Sequence, residues 1–376
     1  MNDQSTDIQR VGHTISALVK DATIVGLGTG SRAGHELFRL VEHTTHNLIE
    51  SGFRVIAVLD NQRVGEKLDR FVQGADVDLD AALGQAWGPW RTAEMRDALS
   101  WLRRRNERHP GDPVRFVAIG APGVLPGDYD RVVDLLTRVD GPTTTRVREL
   151  LDLVRVAHDS GEHVLRAQGT HPGVPFVELA RTARDLTARL AAGAERDEAL
   201  SLLDAMVEHH ANAIGAGYDA AREERAAAGR LLDLQRRTGD RVVLWEGSAH
   251  VAAHQSVMMG SHLRTALSDG YAAVHLTFGR GRIPGLDLPD PSPDSLEAVL
   301  LAGDGEPIHV VDLRSGVPAD LAAHVDRPSR TRLISGMYDP EHDEEHYYEL
   351  PSPRASFDVA AVLPTISPVH PLPASD

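Results

Sequence analysis

TIVGLGTGSRAGHELF, residues 23–38, decides the fold class of this chain. Residues 23–27 form a short apolar run that stops at glycines, which is typical of a buried strand. Apolar residues at helical spacing predict a helix over 34–51, and RVIAVL, residues 54–59, predicts a second buried strand. A strand, a helix and a strand in this order make a β-α-β unit, whose two strands lie parallel in one sheet.

Further along the chain, five more apolar runs bounded by turn residues predict strands, whereas residues 128–238 carry a nearly continuous helical pattern rich in Ala, Leu and Arg. We therefore predict an α/β fold with a mostly parallel central sheet, flanked by helices and interrupted by a large helical insertion. The predicted divisions are an N-terminal helix or tail at 1–20, the first part of the α/β core at 21–127, the helical insertion at 128–238, the second part of the core at 239–366 and a flexible tail at 367–376.

Composition excludes several classes of function. The chain of 376 residues has a formal net charge of -16, so it should repel nucleic acid phosphates and anionic lipid heads, and we expect neither as a partner. The absence of cysteine excludes disulfides, thiolate catalysis and Cys-ligated metal centres. The polar start MNDQSTDIQR does not resemble a signal peptide, and no apolar run approaches the length of a membrane span. These features predict a soluble, cytoplasmic protein.

A glycine motif follows the first predicted strand. Gly28, Gly30 and Ala33 fit G-x-G-x-x-A between a strand and a helix, where backbone N–H groups approach a dinucleotide pyrophosphate. Asp60 ends the next strand, although it lies further along than the usual ribose-binding acid. The motif is short, and a plain strand-to-helix turn that needs glycine is the favoured explanation. A protein that binds NAD(P) therefore stays as one alternative.

Two groups of polar residues lie where the strands should end, which is where open α/β sheets bind ligands. His35 and Glu36 begin the first helix after the sheet strand, and either side chain could transfer protons. LWEGSAH, residues 244–250, follows a later strand and offers Glu246 and His250 as a base and an orienting group. Its surroundings are not G-x-S-x-G, so a nucleophile elbow at Ser248 is not expected.

The remaining histidines give weaker signals. His209 and His210 lie on a predicted amphipathic helix and are interpreted as a solvated or interhelical edge. His342 and His346, in the run HDEEH, would share one face of a helix and could bind a metal, but the nearby Pro340 favours a loop. Because no clear set of ligands is evident, we predict no metal and no cofactor.

Several of these segments, in the same order, resemble the erythromycin esterase family. GLGTGSRAGHELFRL is similar to that family's G-x-G-E-x-(S/T)-H and the helix after it, and WLRRRN at 101–106 is similar to WLR-x-Y-N. VLWEGSAHV corresponds to the strand that ends in AHN-x-H, MMGSHLR to the next helix, and FGRGR to the strand-to-turn segment after it. The resemblance covers about residues 20–365 and implies an α/β fold with a cleft that activates water to open a macrolactone.

The departures from the family pattern fall on its polar positions. The family's first acidic residue corresponds to Thr29, its proposed general-base histidine to Arg32, and the acid ending its second strand to Leu59, next to Asp60. A guanidinium stays protonated, so Arg32 is not a proton acceptor. In addition, Gly120 replaces an aspartate, Gly247 and Ser248 replace the first His and the Asn of AHN-x-H, and only His250 is kept.

These departures predict an erythromycin esterase-like enzyme with altered chemistry, acting on a small-molecule or peptide natural product by elimination, cyclisation or rearrangement. Its expected catalytic residues are His35, Glu36, Glu246 and His250. Its expected substrate-binding residues are Thr29, Ser31, Arg32, Asp60, Ser248 and Arg222. The main alternative is a catalytically silent relative that binds a metabolite or partner protein in the same cleft.

Overall fold

The computed structural model describes residues 2–155, 160–213, 216–302, 308–319, 321–334 and 338–373. The chain divides into two compact units, of which the first comprises Met1–Ala121 and Ala221–Asp376 and the second comprises Pro122–Ala220. The first unit contains the sheet, and the second is helical with its own apolar core around Tyr129 and Phe176.

Within the described residues the central sheet has eight strands, and it confirms the predicted α/β class. The strands of the chain are β1 Ile24–Thr29, β2 Phe53–Val58, β3 Arg115–Ala118, β4 Arg241–Gly247, β5 Tyr271–Ile283, β6 Leu286–Leu288, β7 His309–Asp312, β8 Ser329–Arg332, β9 Tyr347–Leu350 and β10 Val359–Ile366. Their order is β3-β2-β4-β1-β5-β10-β7, with β6 paired to β5, and β8 and β9 form a separate hairpin. All pairings in the large sheet are parallel except those of β7 and β6.

Helices cover the sheet and make up the second unit. They are α1 Asn2–Val19, α2 His35–Glu50, α3 Gln62–Val72, α4 Leu79–Leu83, α5 Ala93–Arg108, α6 Pro126–Thr137, α7 Gly141–Val154, α8 Ser160–Ala167, α9 Phe176–Ala188, α10 Ala194–Ala211, α11 Ala220–Thr238, α12 Ser248–Val251, α13 Met259–Leu267, α14 Leu296–Leu301 and α15 Pro353–Ser356. Within the described residues, every helix is too short or too polar to cross a bilayer.

Strand β1 lies at the centre of the sheet, between β4 and β5. Every residue of β1 is buried, because both faces of a parallel sheet are covered, and this explains its continuous apolar run. In the register of the sheet, Gly28 lies beside Glu246 of β4 and His275 of β5. The carboxyl ends of β1 and β4 therefore meet at one edge, which positions Arg32, Glu246 and His250 near one another.

The glycines of the G-x-G-x-x-A motif make room for the protein's own chain. A Cβ on Gly28 would lie 2.3 Å from Val251 Cγ2 and 2.8 Å from the Cα of Ser248. A Cβ on Gly30 would lie 3.1 Å from Thr277 Oγ1. Helix α12 thus fills the space that a pyrophosphate would need, and the structure does not support the dinucleotide alternative at this turn.

Two boundaries differ from those predicted from sequence. Helix α11 was expected to close the helical insertion, but it belongs to the first unit because Ala227, Ala228 and Leu231 pack in the core of the sheet. The segment 367–373 was expected to be flexible, but it pairs with the first unit through bridges from Pro368 to Gly34 and from Pro371 to Thr92. Residues 374–376 lie outside the described part of the chain.

Candidate functional site

Arg32 points into the protein at the carboxyl edge of the sheet. Its side chain is 16% exposed and forms an ion pair with the carboxylate of Glu246. The guanidinium also lies over Trp87, 4.8 Å from the ring centroid, and 5.8 Å from that of Trp90. Burial lowers the pKa of Arg32 to about 10, opposed by the charge of Glu224, so the side chain remains cationic at neutral pH.

Glu246 is the buried anion that balances Arg32. It is the penultimate residue of β4 and is 2% exposed. Its two carboxylate oxygens accept hydrogen bonds from the backbone N–H of Leu59 at 3.3 Å and of Gly247 at 3.1 Å. With the ion pair to Arg32, these donors compensate the cost of burying a charge.

Gly247 provides the space that the guanidinium occupies. A Cβ on this residue would lie 3.0 Å from Nη2 and 3.3 Å from Cζ of Arg32. Both positions depart from the family pattern, where each corresponds to a histidine. The large side chain of Arg32 and the absence of a side chain at Gly247 are therefore complementary in one pocket.

His250 corresponds to the second histidine of AHN-x-H, the one histidine of that motif that this chain retains. Two carboxylates flank it. Its Nδ1 lies 2.7 Å from Oε1 of Glu224, and its Nε2 lies 3.8 Å from Oε1 of Glu246. When Nδ1–H donates to Glu224, the lone pair is on Nε2, which can then accept a proton. The side chain is 25% exposed, so it is reachable from solvent.

Glu224 is a site residue that the sequence analysis missed. It lies on α11 and is 1% exposed. Besides holding His250, its Oε2 accepts a 2.9 Å hydrogen bond from the backbone N–H of Met259, the first residue of α13. Glu224 thus fixes the orientation of the imidazole ring of His250. A sequence signal existed, because Ala227, Ala228 and Leu231 at i+3, i+4 and i+7 place Glu224 on the apolar face of its helix.

A cleft of about 290 Å³ opens beside Arg32. This volume lies near the lower end of the range of about 300–1,000 Å³ that small-molecule sites occupy. Its walls are mostly apolar, and Arg32 and Arg91 are their charged members among the described residues. The lining residues are Arg32, Ala33, Gly88, Pro89, Arg91, Thr92, Ile283, Pro284, Leu286, Ile334, Tyr338, Val369 and Pro371.

Thr29 and Ser31 lie on the inner side of Arg32 rather than in this cleft. With Arg32 and Glu246 they line an internal cavity of about 20 Å³, roughly enough for one water. Ser31 is 2% exposed, and its Oγ accepts a 3.2 Å hydrogen bond from the backbone N–H of Ala33. In this structure both residues line that cavity together with Arg32, and direct contact with a substrate stays a prediction.

Asp60 organises the aromatic loop that packs on Arg32. Its Oδ2 accepts a 3.0 Å hydrogen bond from the backbone N–H of Trp87, and its Oδ1 accepts one of 2.7 Å from that of Asn61. Burial raises the pKa of Asp60 to about 6, although these hydrogen bonds and the charge of Arg91 oppose the rise. Asp60 therefore acts on the site through Trp87.

Asp60→Asn should reduce the dependence of the free energy of unfolding on pH in the acidic to neutral range. Because burial raises the pKa of Asp60 in the folded state above its ordinary value of 3.8, the folded protein binds this proton more tightly than the unfolded chain does. This stabilisation is lost as the pH rises through about 6. Relative to wild type, the variant should gain about 1–3 kcal/mol in free energy of unfolding between pH 4 and pH 8. Urea unfolding at both pH values measures this difference, and an unchanged difference would contradict the raised pKa.

Ser248 does not reach the cleft, which corrects its predicted role in substrate binding. It is fully buried, and its Oγ lies 2.7 Å from Nδ1 of His275. Nε2 of His275 lies 2.8 Å from Thr331 Oγ1 and 3.7 Å from Glu297 Oε1. This serine, histidine and glutamate resemble a hydrolase triad, but all are fully buried, so a substrate has no access to them. We interpret the network as part of the core.

Three other predicted site residues have different partners. Glu36 accepts hydrogen bonds from the backbone N–H and Oγ of Ser367, and His35 pairs with Glu94. Neither residue joins Glu246 and His250, because both face the C-terminal segment, and this corrects their assignment as catalytic residues. Arg222 is exposed and pairs with its neighbour Glu223 at 3.0 Å, so it has no observed role at the cleft.

The structure also places the histidines that gave weaker signals in the sequence. His210 is fully buried within the second unit, with its Nε2 3.0 Å from the hydroxyl of Tyr129, so the interhelical interpretation holds and the solvated one does not. His342 and His346 lie in a short 3-10 helix, Pro340–His346, which is kinked at His342. His342 pairs with Asp339 at 2.8 Å and is exposed.

Comparisons with known proteins agree with this fold. The sequence profile of the erythromycin esterase family matches residues 49–366, which is most of the chain. A curated relative, cellulose synthase 2 operon protein C of Komagataeibacter xylinus, is 31% identical over 176 residues, which cover 43% of this chain and 13% of that protein. This chain thus spans a small part of that relative.

Three solved structures share the fold at low sequence identity. A Bacillus cereus protein has a TM-score of 0.64 and 17% identity, covering 96% of this chain and 92% of that one. A succinoglycan biosynthesis protein has a TM-score of 0.64 and 16% identity, covering 99% and 98%. A mutant of the erythromycin esterase EreC in its open conformation has a TM-score of 0.57 and 15% identity, covering 96% and 95%.

The family match begins in the last turn of α2, so β1 and Arg32 lie before it. The profile thus does not reach Arg32, whereas Gly120, Gly247 and Ser248 lie within the matched range. The remainder, from β2 to the end of β10, is matched in full. The chain belongs to the erythromycin esterase family.

Proposed function

We propose that this protein is an erythromycin esterase-like enzyme that performs acid–base chemistry other than hydrolysis on a compact, anionic natural product. The observation that supports it most directly is the pairing of His250 with Glu224 beside the ion pair of Arg32 and Glu246. The pairing provides an oriented base, while the position that corresponds to the family's hydrolytic base holds a cation. Elimination, cyclisation and rearrangement need a base and do not need an activated water.

The roles of the residues follow from their contacts. Nε2 of His250 takes a proton from the substrate, and Glu224 stabilises the resulting imidazolium. Glu246, whose Oε1 lies 3.8 Å from Nε2, adds to this stabilisation and is itself held by Arg32. Because Glu246 balances most of the charge of Arg32, we assign Arg32 first to positioning Glu246 and second to attracting an anion.

The cleft supports a small, anionic substrate. Arg32 and Arg91 are its charged walls, and within the described residues neither Asp nor Glu lines it. A carboxylate in an otherwise apolar cleft would be attracted by these two cations. The volume of about 290 Å³ suits a compact molecule better than a large macrolactone. We further propose a cytoplasmic role in natural-product tailoring, without a nucleic acid or membrane partner.

Erythromycin incubated with the purified protein should not gain the mass of one water. The physical reason is that Arg32 is no acceptor for a proton of water, and the first histidine of the family's AHN-x-H is missing at Gly247. Mass spectrometry over a time course measures the ring-opened product, with an active macrolide esterase as the positive control. Efficient ring opening by this protein would overturn the proposed loss of hydrolysis.

A screen of carboxylate-bearing natural products tests the positive half of the proposal. A product of unchanged mass indicates cyclisation or rearrangement, and a product lighter by one water or one acid indicates elimination. Fluorescence of Trp87 and Trp90, which lie against Arg32, reports binding in the same samples. Binding without any conversion across the screen would favour the catalytically silent alternative.

A further inference from the structure

Two histidines and a glutamate from distant parts of the chain meet beside the cleft. His35 begins α2, Glu94 lies in the first turn of α5, and His370 follows β10. Nδ1 of His35 and Nδ1 of His370 each lie 2.7 Å from Oε1 of Glu94. One possible ligand atom from each side chain lies within 4.8 Å of the other two, and no other group of three or more potential ligands occurs in the described residues.

The charge of Glu94 is buried without a permanent cation. Its side chain is 3% exposed, and among the described residues its ion-pair partners are the two histidines, not Lys or Arg. Its other acceptor contact is with the backbone N–H of His370, 3.1 Å from Oε2. A buried carboxylate needs a balancing charge, which a bound cation can supply as well as a protonated imidazole can.

We propose that His35, Glu94 and His370 bind a divalent transition metal of the zinc class. Two imidazole nitrogens and one carboxylate oxygen are ligands that Zn²⁺ prefers, at about 2.0–2.2 Å each. Tetrahedral binding places such ligands about 3.4 Å apart, so small side-chain rotations suffice. The fourth position faces outward, since the side chain of His370 is 72% exposed and that of His35 is 33% exposed.

The metal would fix one wall of the cleft. The backbone N–H of Ala93 donates to the carbonyl of His370 at 2.8 Å, and that of Val369 donates to the carbonyl of Ala33 at 3.0 Å. Val369 and Pro371, on either side of His370, both line the cleft. Binding at His370 would therefore hold these two residues against the rest of the cleft.

Zinc titration of the full chain tests the site. Protein stripped with a chelator should bind one Zn²⁺ per chain by calorimetry and elemental analysis, whereas Mg²⁺, which prefers oxygen ligands, should not bind. His370→Ala should weaken zinc binding at least tenfold, and His35→Ala should do the same. The matched control is His109→Ala, which removes an exposed histidine at the other end of α5 and should bind zinc as wild type does.

Thermal unfolding gives a second readout that does not depend on activity. Zinc should raise the unfolding temperature of wild type and of the His109 control, because a ligand that binds the native state stabilises it, and the rise should vanish in His370→Ala. Circular dichroism without metal checks that the exposed substitution leaves the fold intact. The proposal is overturned if wild type binds no zinc, or if His370→Ala binds zinc as tightly as wild type.

Discussion

His250→Ala should reduce turnover by about 10²–10⁴-fold for any substrate that the wild-type enzyme converts, which is the usual contribution of a general base. The imidazole is the group whose Nε2 is left to accept a proton once Nδ1 donates to Glu224. Substrate binding should change less than turnover, since Arg32 and Arg91, and not His250, supply the proposed charge contacts to the anion. Steady-state kinetics should therefore show a loss in kcat with a nearly constant KM.

Two further variants make this result specific. His254→Ala removes another half-buried histidine four residues away, whose Nε2 lies 3.3 Å from the hydroxyl of Tyr348, and it should keep most of the turnover. Glu224→Gln retains a polar side chain of the same size but loses the charge that stabilises the imidazolium, so a smaller kcat loss is expected. If His250→Ala keeps wild-type turnover, the assignment of the base is wrong.

Glu246→Ala should lower the free energy of unfolding by about 3–5 kcal/mol, the usual cost of leaving a buried charge without its partner. The guanidinium of Arg32 would stay confined beneath Trp87 with its anion removed. The backbone N–H groups of Leu59 and Gly247 would lose their acceptor as well. Urea unfolding followed by circular dichroism measures the change.

A double-mutant cycle separates this ion pair from the rest of the site. Arg32→Ala combined with Glu246→Ala should be less destabilised than the sum of the single variants, because neither charge is then left alone. Glu107→Ala is the matched control, since it breaks the exposed pair with Arg103 and should cost at most about 1 kcal/mol. Additive effects at Arg32 and Glu246 would show that the two charges do not stabilise each other.

The strands of the sheet could be predicted from sequence because their signal, a short apolar run, is local. Residues 23–27 and 54–59 were predicted as strands from their apolar runs, and β1 and β2 lie there. β1 extends two residues further, through Gly28 and Thr29, since a glycine that looks like a break can fit where α12 packs closely. The assignment of α11 to the helical insertion was wrong, because a helical pattern of apolar residues does not show which apolar core the helix joins.

The site was only half predictable. Glu246 and His250 could be predicted because they lie at and just after the end of a strand. Glu224 could not, because it is one of several neighbouring charged residues in α11. The same applies to Glu94, which shares a helix face with Ala98 and Leu102 and is buried with them. In both helices a carboxylate on the apolar face is the signal, since such a residue is buried only with a partner. The identity of the partner depends on tertiary contacts and is not written in the local pattern.

The fit between Arg32 and Gly247 also limits which single substitutions this pocket can accept. An imidazole at residue 32 alone would leave a void next to Gly247 and leave Glu246 without its cation. A histidine at residue 247 alone would collide with the guanidinium already present. Each single substitution should therefore cost stability, so the two positions are expected to tolerate exchange only together.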